Sequence, residues 1–341
     1  MARILLTGFE PFGDNPENVS EKILNMIDST ITVSDPWHSS RNSNITYPEI
    51  EVTIEKQLLT VDKPGSVLVS DRISNGEKWD AIVHMGLCES CDSIKFETTA
   101  KNLLDMKIPD NLGRQISNQQ LGNTDLHCNK FVKDAISYPS ISGLNLSNDA
   151  GAFLCNETYF RTLESLNKTE QYSSIKTCFI HIPSEQKISL QSSISTLKKI
   201  IARFFYKPVL EVVGALLIRN EKIMLARRNS VSKLPGNWEF PGGKVEDGES
   251  HFLAIQREMM EEFNCAVIPI RFVSSNYHEY TDLAINLHIV EVKLEIDELE
   301  TNRKLWTSHD KIGWFDNLTG FNIAPADYDL ALSILETINA K

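Results

Sequence analysis

The chain has 341 residues, enough for two domains of ordinary size. Apolar residues make up 41% and charged residues 23%, a globular balance that excludes a mostly disordered chain. Asp and Glu total 46 against 34 Lys and Arg, and the net charge of −12 argues against a nucleic-acid polymer as partner. A local pocket for a single nucleotide remains compatible with that charge.

Ala2–Leu6 opens the chain as an expected strand. Its apolar run, Ile4 to Leu6, is too short for a signal-peptide core. No run of about 18 apolar residues follows, so no membrane partner is expected. Cys88, Cys91, Cys128, Cys155, Cys178 and Cys265 are then expected as free thiols, in the cytoplasm. Glu21–Ile27 reads as a helix start. Ser66–Val69, Ala81–Met85 and Thr177–Ile182 are short apolar runs, expected as buried parallel strands. The alternation predicts a three-layer α/β domain with a mostly parallel sheet. Ile188–Phe205 has helical apolar spacing, and Pro208 blocks its continuation. The expected domains are therefore 1–206 and 207–341. In the second, strands Glu211–Ile218 and Lys222–Ala226 flank a turn at Arg219–Glu221. A Gly-rich loop, a charged helix and β segments over Ile285–Ile296 follow, which makes this half α+β.

Cys155 lies in SNDAGAFLCNETYFRTLESL, where the residues after it read as a helix. Ser147, Asn148 and Asp149 are capping types upstream. A cysteine at a helix start feels the positive dipole end, which favours the nucleophilic thiolate. A buried inert cysteine is the other reading. His181 in CFIHIPS and Glu97 in IKFETTAKN would complete a triad of nucleophile, base and orienting carboxylate. Spacing alone also allows a core histidine and a surface carboxylate.

TGFEPFGDNPENVS, ETTAKNLLDMKIPDN, SNDAGAFLCN and FIHIP, in this order, resemble the signatures of the pyroglutamyl peptidase I family of cysteine peptidases. The resemblance spans about Met1 to Phe205. It implies Cys155 as nucleophile, His181 as base and Glu97 as the orienting carboxylate, with no cofactor. Phe9 and Phe12 match the aromatic residues that hold the pyroglutamyl ring, and Asn18 matches an Asn of the same loop. Pyroglutamyl peptides are the implied substrate, and homo-oligomers are common in the family. Two departures stand out. Val19 replaces a frequent Pro, and HMGLCESCDSIKF replaces a more Gly-rich segment. Cys88 and Cys91 fall inside the latter, where a metal or redox pair is one reading of CxxC.

GGKVEDGESHFLAIQREMMEEFN places Glu258, Glu261 and Glu262 at i, i+3 and i+4 of one helix, with Ser250 as cap. Crowded carboxylates suit a hard divalent cation, and equally a solvated acidic face. The segment resembles the Nudix box through Gly243, Glu249, Arg257, Glu258, Glu261 and Glu262, with Asn264 in place of its last Gly. VVGALLIRNEKIMLARRN, NWEFPGGK, Trp314 and Pro325–Asp327 resemble the MutT subgroup. The resemblance implies Mg²⁺ or Mn²⁺ on Glu258, Glu261, Glu262 and Gly243, with Arg257 orienting the carboxylates. Arg228, Phe240 and Asp327 would meet a nucleoside triphosphate such as 8-oxo-dGTP. Ser308 stands where many relatives carry a Glu, with Asp310 or Glu300 as possible substitutes. The expectation is a bifunctional hydrolase. The alternative is a peptidase controlled by a weakly active, nucleotide-sensing Nudix domain.

Overall fold

The computed structural model describes residues 2–13, 16–137, 139–168, 170–172, 174–296 and 299–340. Met1, Lys341 and two residues of the opening motif, Asp14 and Asn15, lie outside the described residues. The chain divides into two compact units. One holds Met1–Pro36 and Tyr47–Tyr206, and the other holds Trp37–Thr46 and Lys207–Lys341.

The first unit runs β1 (Ala2–Phe9), α1 (Val19–Met26), β2 (Thr30–Val33), β3 (Ile50–Leu59), α2 (Lys63–Ser74), β4 (Ala81–Leu87) and β5 (Ile94–Glu97). It continues with β6 (Thr99–Ala100), β7 (Leu126–His127), α3 (Lys130–Ser137), β8 (Leu144–Ser147), α4 (Leu154–Asn167), β9 (Lys176–Ile182) and α5 (Leu190–Phe205). Its main sheet has the order β2-β3-β1-β4-β9-β5-β8. Pairing is parallel except at β2–β3 and β9–β5, which are antiparallel. The central strands are buried along nearly their whole length, as the continuous apolar runs require. Leu5, Phe9 and Phe179 of the sheet pack with Val69 of α2 and with Tyr159 and Phe160 of α4.

Ser66–Val69, expected as a strand, lies within α2. The local signals outweigh the short apolar run. Asp62 caps the helix by accepting from the Gly65 N–H at 2.8 Å, and Pro64 sits in the first turn. α1 begins at Val19, capped by Asn18, two residues before the expected start. α4 is capped by Phe153 with no side-chain hydrogen bond, so Ser147, Asn148 and Asp149 are not its cap. Cys88 and Cys91 form a disulfide, which corrects the expectation of six free thiols. Cys128, Cys155, Cys178 and Cys265 are not in disulfides.

The second unit runs β10 (Val209–Leu216), β11 (Ile218–Arg219), β12 (Lys222–Arg228), β13 (Trp238–Glu239), β14 (Gly242–Lys244), α6 (His251–Phe263), β15 (Val267–Glu279), β16 (Ala284–Leu294), β17 (His309–Phe315) and α7 (Pro325–Asn339). One sheet has the order β14-β10-β16-β15, and a second joins β11, β12, β13 and β17. Asn220 and Glu221, both at positive φ, make the two-residue turn between β11 and β12. The strands alternate between two cores. Met224 and Ala226 of β12 pack in a core with α6, while Ile223 and Leu225 pack in a core with α7. Trp37–Thr46 belongs to this unit although it lies between β2 and β3 in sequence. Asn286 donates to the Ser40 carbonyl at 2.6 Å, and Arg41 to the Lys207 carbonyl at 2.5 Å.

Candidate active sites

In the first unit, the single antiparallel junction beside β9 brings two side chains together. Lys95 of β5 is opposite His181, so Glu97 is its diagonal neighbour on the same face. Glu97 is fully buried, and its Oε1 lies 2.8 Å from His181 Nδ1. On the other side, His181 is opposite Gly86 of β4. A Cβ on Gly86 would fall 2.8 Å from Cys155 Sγ and 3.0 Å from the Phe179 ring, so the glycine makes room for the thiol. Cys155 is the second residue of α4, where backbone N–H groups are free of helix partners. Its thiol lies beside His181 and helps to raise the pKa of that ring. Cys155, His181 and Glu97 therefore meet across 84 residues of sequence between Glu97 and His181.

Burial works to lower the His181 pKa. Hydrogen bonds to Cys155 and Glu97, and the charges of both, outweigh it and raise the value to about 9. The second oxygen of Glu97 is buried without a partner. The imidazole ring leans on Phe179, with centroids 4.8 Å apart.

The three ring-loop residues separate in role. Phe12 is half-buried and meets Phe153 with centroids 5.0 Å apart. Phe9 is buried and packs on Phe179 at 6.5 Å. Asn18 caps α1 through the Ser20 N–H and donates to the Glu10 carbonyl at 3.1 Å, which holds the loop rather than facing it. Phe153, Phe179 and Gly86 were not singled out from sequence. Gly86 carried a signal, as a glycine at the end of an apolar strand.

In the second unit, α6 is capped by Ser250 and leaves through Asn264 in the left-handed conformation. Arg257 makes two bonds to Glu249, at 3.1 and 2.9 Å, one to Glu258 Oε1 at 2.8 Å and one to the Lys244 carbonyl at 2.8 Å. Gly243 lies against Glu258, since a Cβ there would sit 2.4 Å from its carboxylate. Burial raises the Glu258 and Glu262 pKa values. Glu262 Oε2 is buried without a hydrogen-bond partner. Glu261 is exposed, 3.5 Å from Arg257. Two crowded carboxylates, desolvated and one orphaned, are the donor set a hard cation suits.

Ser308 lies beside Glu262 and works against the rise of its pKa. Next to it, His309 Nε2 lies 2.9 Å from Glu239 Oε1, and its Nδ1 faces Glu262 Oε2 at 3.6 Å. Glu239 is the carboxylate that sequence reasoning missed. Asp310 is engaged with Arg227 at 2.8 Å and does not fill the place of the missing Glu. Arg228 bonds Glu239 Oε2 at 2.7 Å. Asp327, at the start of α7, accepts from the Phe240 N–H at 2.9 Å. Burial, followed by the Glu239 charge, pushes the Asp327 pKa up to about 8.

The family described as pyroglutamyl peptidase matches residues 2–202, and the NUDIX domain matches 209–318. The pyrrolidone-carboxylate peptidase of Pyrococcus furiosus is 28% identical over 186 residues, covering 53% of this chain and 80% of that protein. The CTP pyrophosphohydrolase of Escherichia coli is 34% identical over 124 residues, covering 36% of this chain and 88% of that protein. Among solved structures, the pyrrolidone carboxyl peptidase of Thermococcus litoralis is 22% identical with a TM-score of 0.48, over 60% of this chain and 93% of that one. Among the described residues, no helix is long and apolar enough to cross a membrane.

Proposed function

We propose, for a chain that belongs to the pyroglutamyl peptidase family and carries a NUDIX domain, that each unit is a working hydrolase. The first would remove N-terminal pyroglutamate from peptides. The observation that carries this reading is His181 held between Glu97 and the Cys155 thiol. Cys155 Sγ attacks the pyroglutamyl carbonyl carbon. The free N–H groups at the start of α4 stabilise the developing oxyanion. His181 gives its proton to the departing amine, and the carbonyl is left as a thioester on Cys155. Water then attacks the thioester, with His181 taking its proton and returning it to the leaving thiolate. Glu97 keeps the ring in the tautomer that presents Nε2 to sulfur. Phe12 and Phe153 offer aromatic faces to a flat, neutral lactam.

The second unit would cleave nucleoside triphosphates to the monophosphate and pyrophosphate. Glu258, Glu261, Glu262 and the Gly243 carbonyl would hold Mg²⁺, which supplies charge neutralisation for the phosphates and activation of water. Arg257 would fix the carboxylates, and Arg228 would approach the nucleotide. Phe240 and Asp327 would bound the base. Asp327, neutral at pH 7 through its raised pKa, offers a proton donor to an acceptor on the base edge. The buried, unpartnered Glu262 oxygen supports this reading most directly. The nucleotide-sensor alternative rests on Ser308 and on the short connection between the two domains. Glu239, linked to Glu262 through His309, would supply a carboxylate on that face, which supports turnover over sensing alone.

The test is a nucleotide panel with Mg²⁺, including CTP and 8-oxo-dGTP, followed by pyrophosphate release from wild type and Glu262→Gln. Turnover of one nucleotide, lost in the variant, is expected. A folded, peptidase-active protein with no turnover of any nucleotide would overturn the second assignment.

A further inference from the structure

A polar cluster interrupts an otherwise apolar face of the second unit. On the face of β10 and β16 that meets α6, Val213, Ala215, Val290 and Val292 are core residues. The register pairs Glu211 with Asn286 and Val213 with His288, so Glu211, Asn286 and His288 share that same face one step further along. Apolar residues would continue the core there. His251, the first residue of α6, lies over them instead, with its ring stacked on His288 at a centroid distance of 4.1 Å. His288 Nε2 is 2.6 Å from Glu211 Oε2.

We propose that Glu211, His251 and His288 bind one divalent cation of the Zn²⁺ type, at a site separate from the carboxylates of α6. Each residue offers one ligand atom, and the three atoms lie within 4.8 Å of one another. Bonds of about 2.0–2.2 Å from one ion place tetrahedral ligands roughly 3.4 Å apart, so small rotations close the set. Two imidazoles and one carboxylate suit a late first-row metal, whereas Mg²⁺ prefers oxygen alone. The side chains of Glu211 and His288 are 19% and 16% exposed, which leaves a path for the ion and a fourth position for water. Asn286 donates to the other Glu211 oxygen at 2.9 Å and so aims the ligand oxygen, as outer partners of metal sites do. The Glu211 carbonyl accepts from the Val245 N–H at 2.9 Å, two residues after Gly243. A cation on Glu211 therefore stiffens the strand that carries the Gly-rich loop.

The test uses the full chain with Cys155→Ser and Glu262→Gln, which removes the reactive thiol and a carboxylate of the other site. Co²⁺ is titrated and its visible absorption followed, with Zn²⁺ and excess Mg²⁺ as competitors. One Co²⁺ per chain is expected, with the strong absorption of a four-coordinate nitrogen and oxygen site. Zn²⁺ displaces it and Mg²⁺ does not. His251→Ala or His288→Ala weakens binding by more than about 100-fold, since a lost ligand costs more than a lost outer partner. His251 lies in the partly exposed first turn of α6, so its variant keeps the test valid if His288→Ala fails to fold. Unchanged Co²⁺ affinity in His251→Ala, displacement by Mg²⁺, or no stoichiometric binding by the parent would overturn the proposal.

Discussion

Glu97→Gln probes the peptidase site at its least exposed point. The substitution keeps size and removes charge at an oxygen 2.8 Å from His181 Nδ1. The His181 pKa stands at about 9 against an ordinary 6.5, which corresponds to about 3 kcal/mol in favour of the imidazolium. Cys155 and Glu97 share that stabilisation against the opposing burial. Loss of the Glu97 part alone costs about 10–100-fold in kcat/KM. If the amide N–H₂ faces Nδ1, the ring takes the wrong tautomer and the loss approaches about 10⁴-fold. The sign of the pH effect follows from a raised pKa. The imidazolium is fully present below the unfolded value and is lost as pH rises through about 9. Wild-type kcat/KM on a fluorogenic pyroglutamyl arylamide should therefore fall on an alkaline limb near pH 9, and in Glu97→Gln that limb should move to lower pH. Unchanged kcat/KM with an unmoved limb would refute the role given to Glu97.

Gly86→Ala places a methyl group 2.8 Å from Cys155 Sγ, so peptidase kcat should drop more than about 10-fold while nucleotide hydrolysis is spared. Arg257→Lys replaces a planar fork that bonds Glu249 twice, and the Mg²⁺ concentration for half-maximal activity should rise about 10–100-fold. Asp327 is neutral below about pH 8 and loses its proton as pH rises through that value. The nucleotide KM of wild type should therefore rise through about pH 8, and Asp327→Asn, which cannot ionise, should flatten that rise.

Local chemistry decided which features were legible in the sequence. The cap at Ser250, the exit at Asn264 and the glutamate spacing depend on neighbours within a turn or two, and all could be read from GGKVEDGESHFLAIQREMMEEFN. The buried strands Ala81–Met85 and Thr177–Ile182 were equally plain as continuous apolar runs. Ser66–Val69 misled because an apolar run of that length has no period of its own. The signals that settle it, Asp62 and Pro64, lay just upstream. Other features depend on pairing between distant strands. Sequence spacing holds no trace of the antiparallel β5–β9 register that brings Glu97 to His181. The same is true of Glu239, which is linked to Glu262 of α6 through His309. Trp37–Thr46 joins the second unit through hydrogen bonds that include those to Lys207, Tyr277 and Asn286, contacts with no periodicity to reveal them.

The most direct test of two hydrolases in one chain is a crossed assay on Cys155→Ala and Glu262→Gln. Both reactions are measured on the same preparations. Cys155→Ala should lose pyroglutamyl arylamide cleavage and keep pyrophosphate release, and Glu262→Gln should show the reverse. Pyroglutamyl cleavage that survives in Cys155→Ala, or pyrophosphate release unaffected by Glu262→Gln, would contradict the assignment of the two sites.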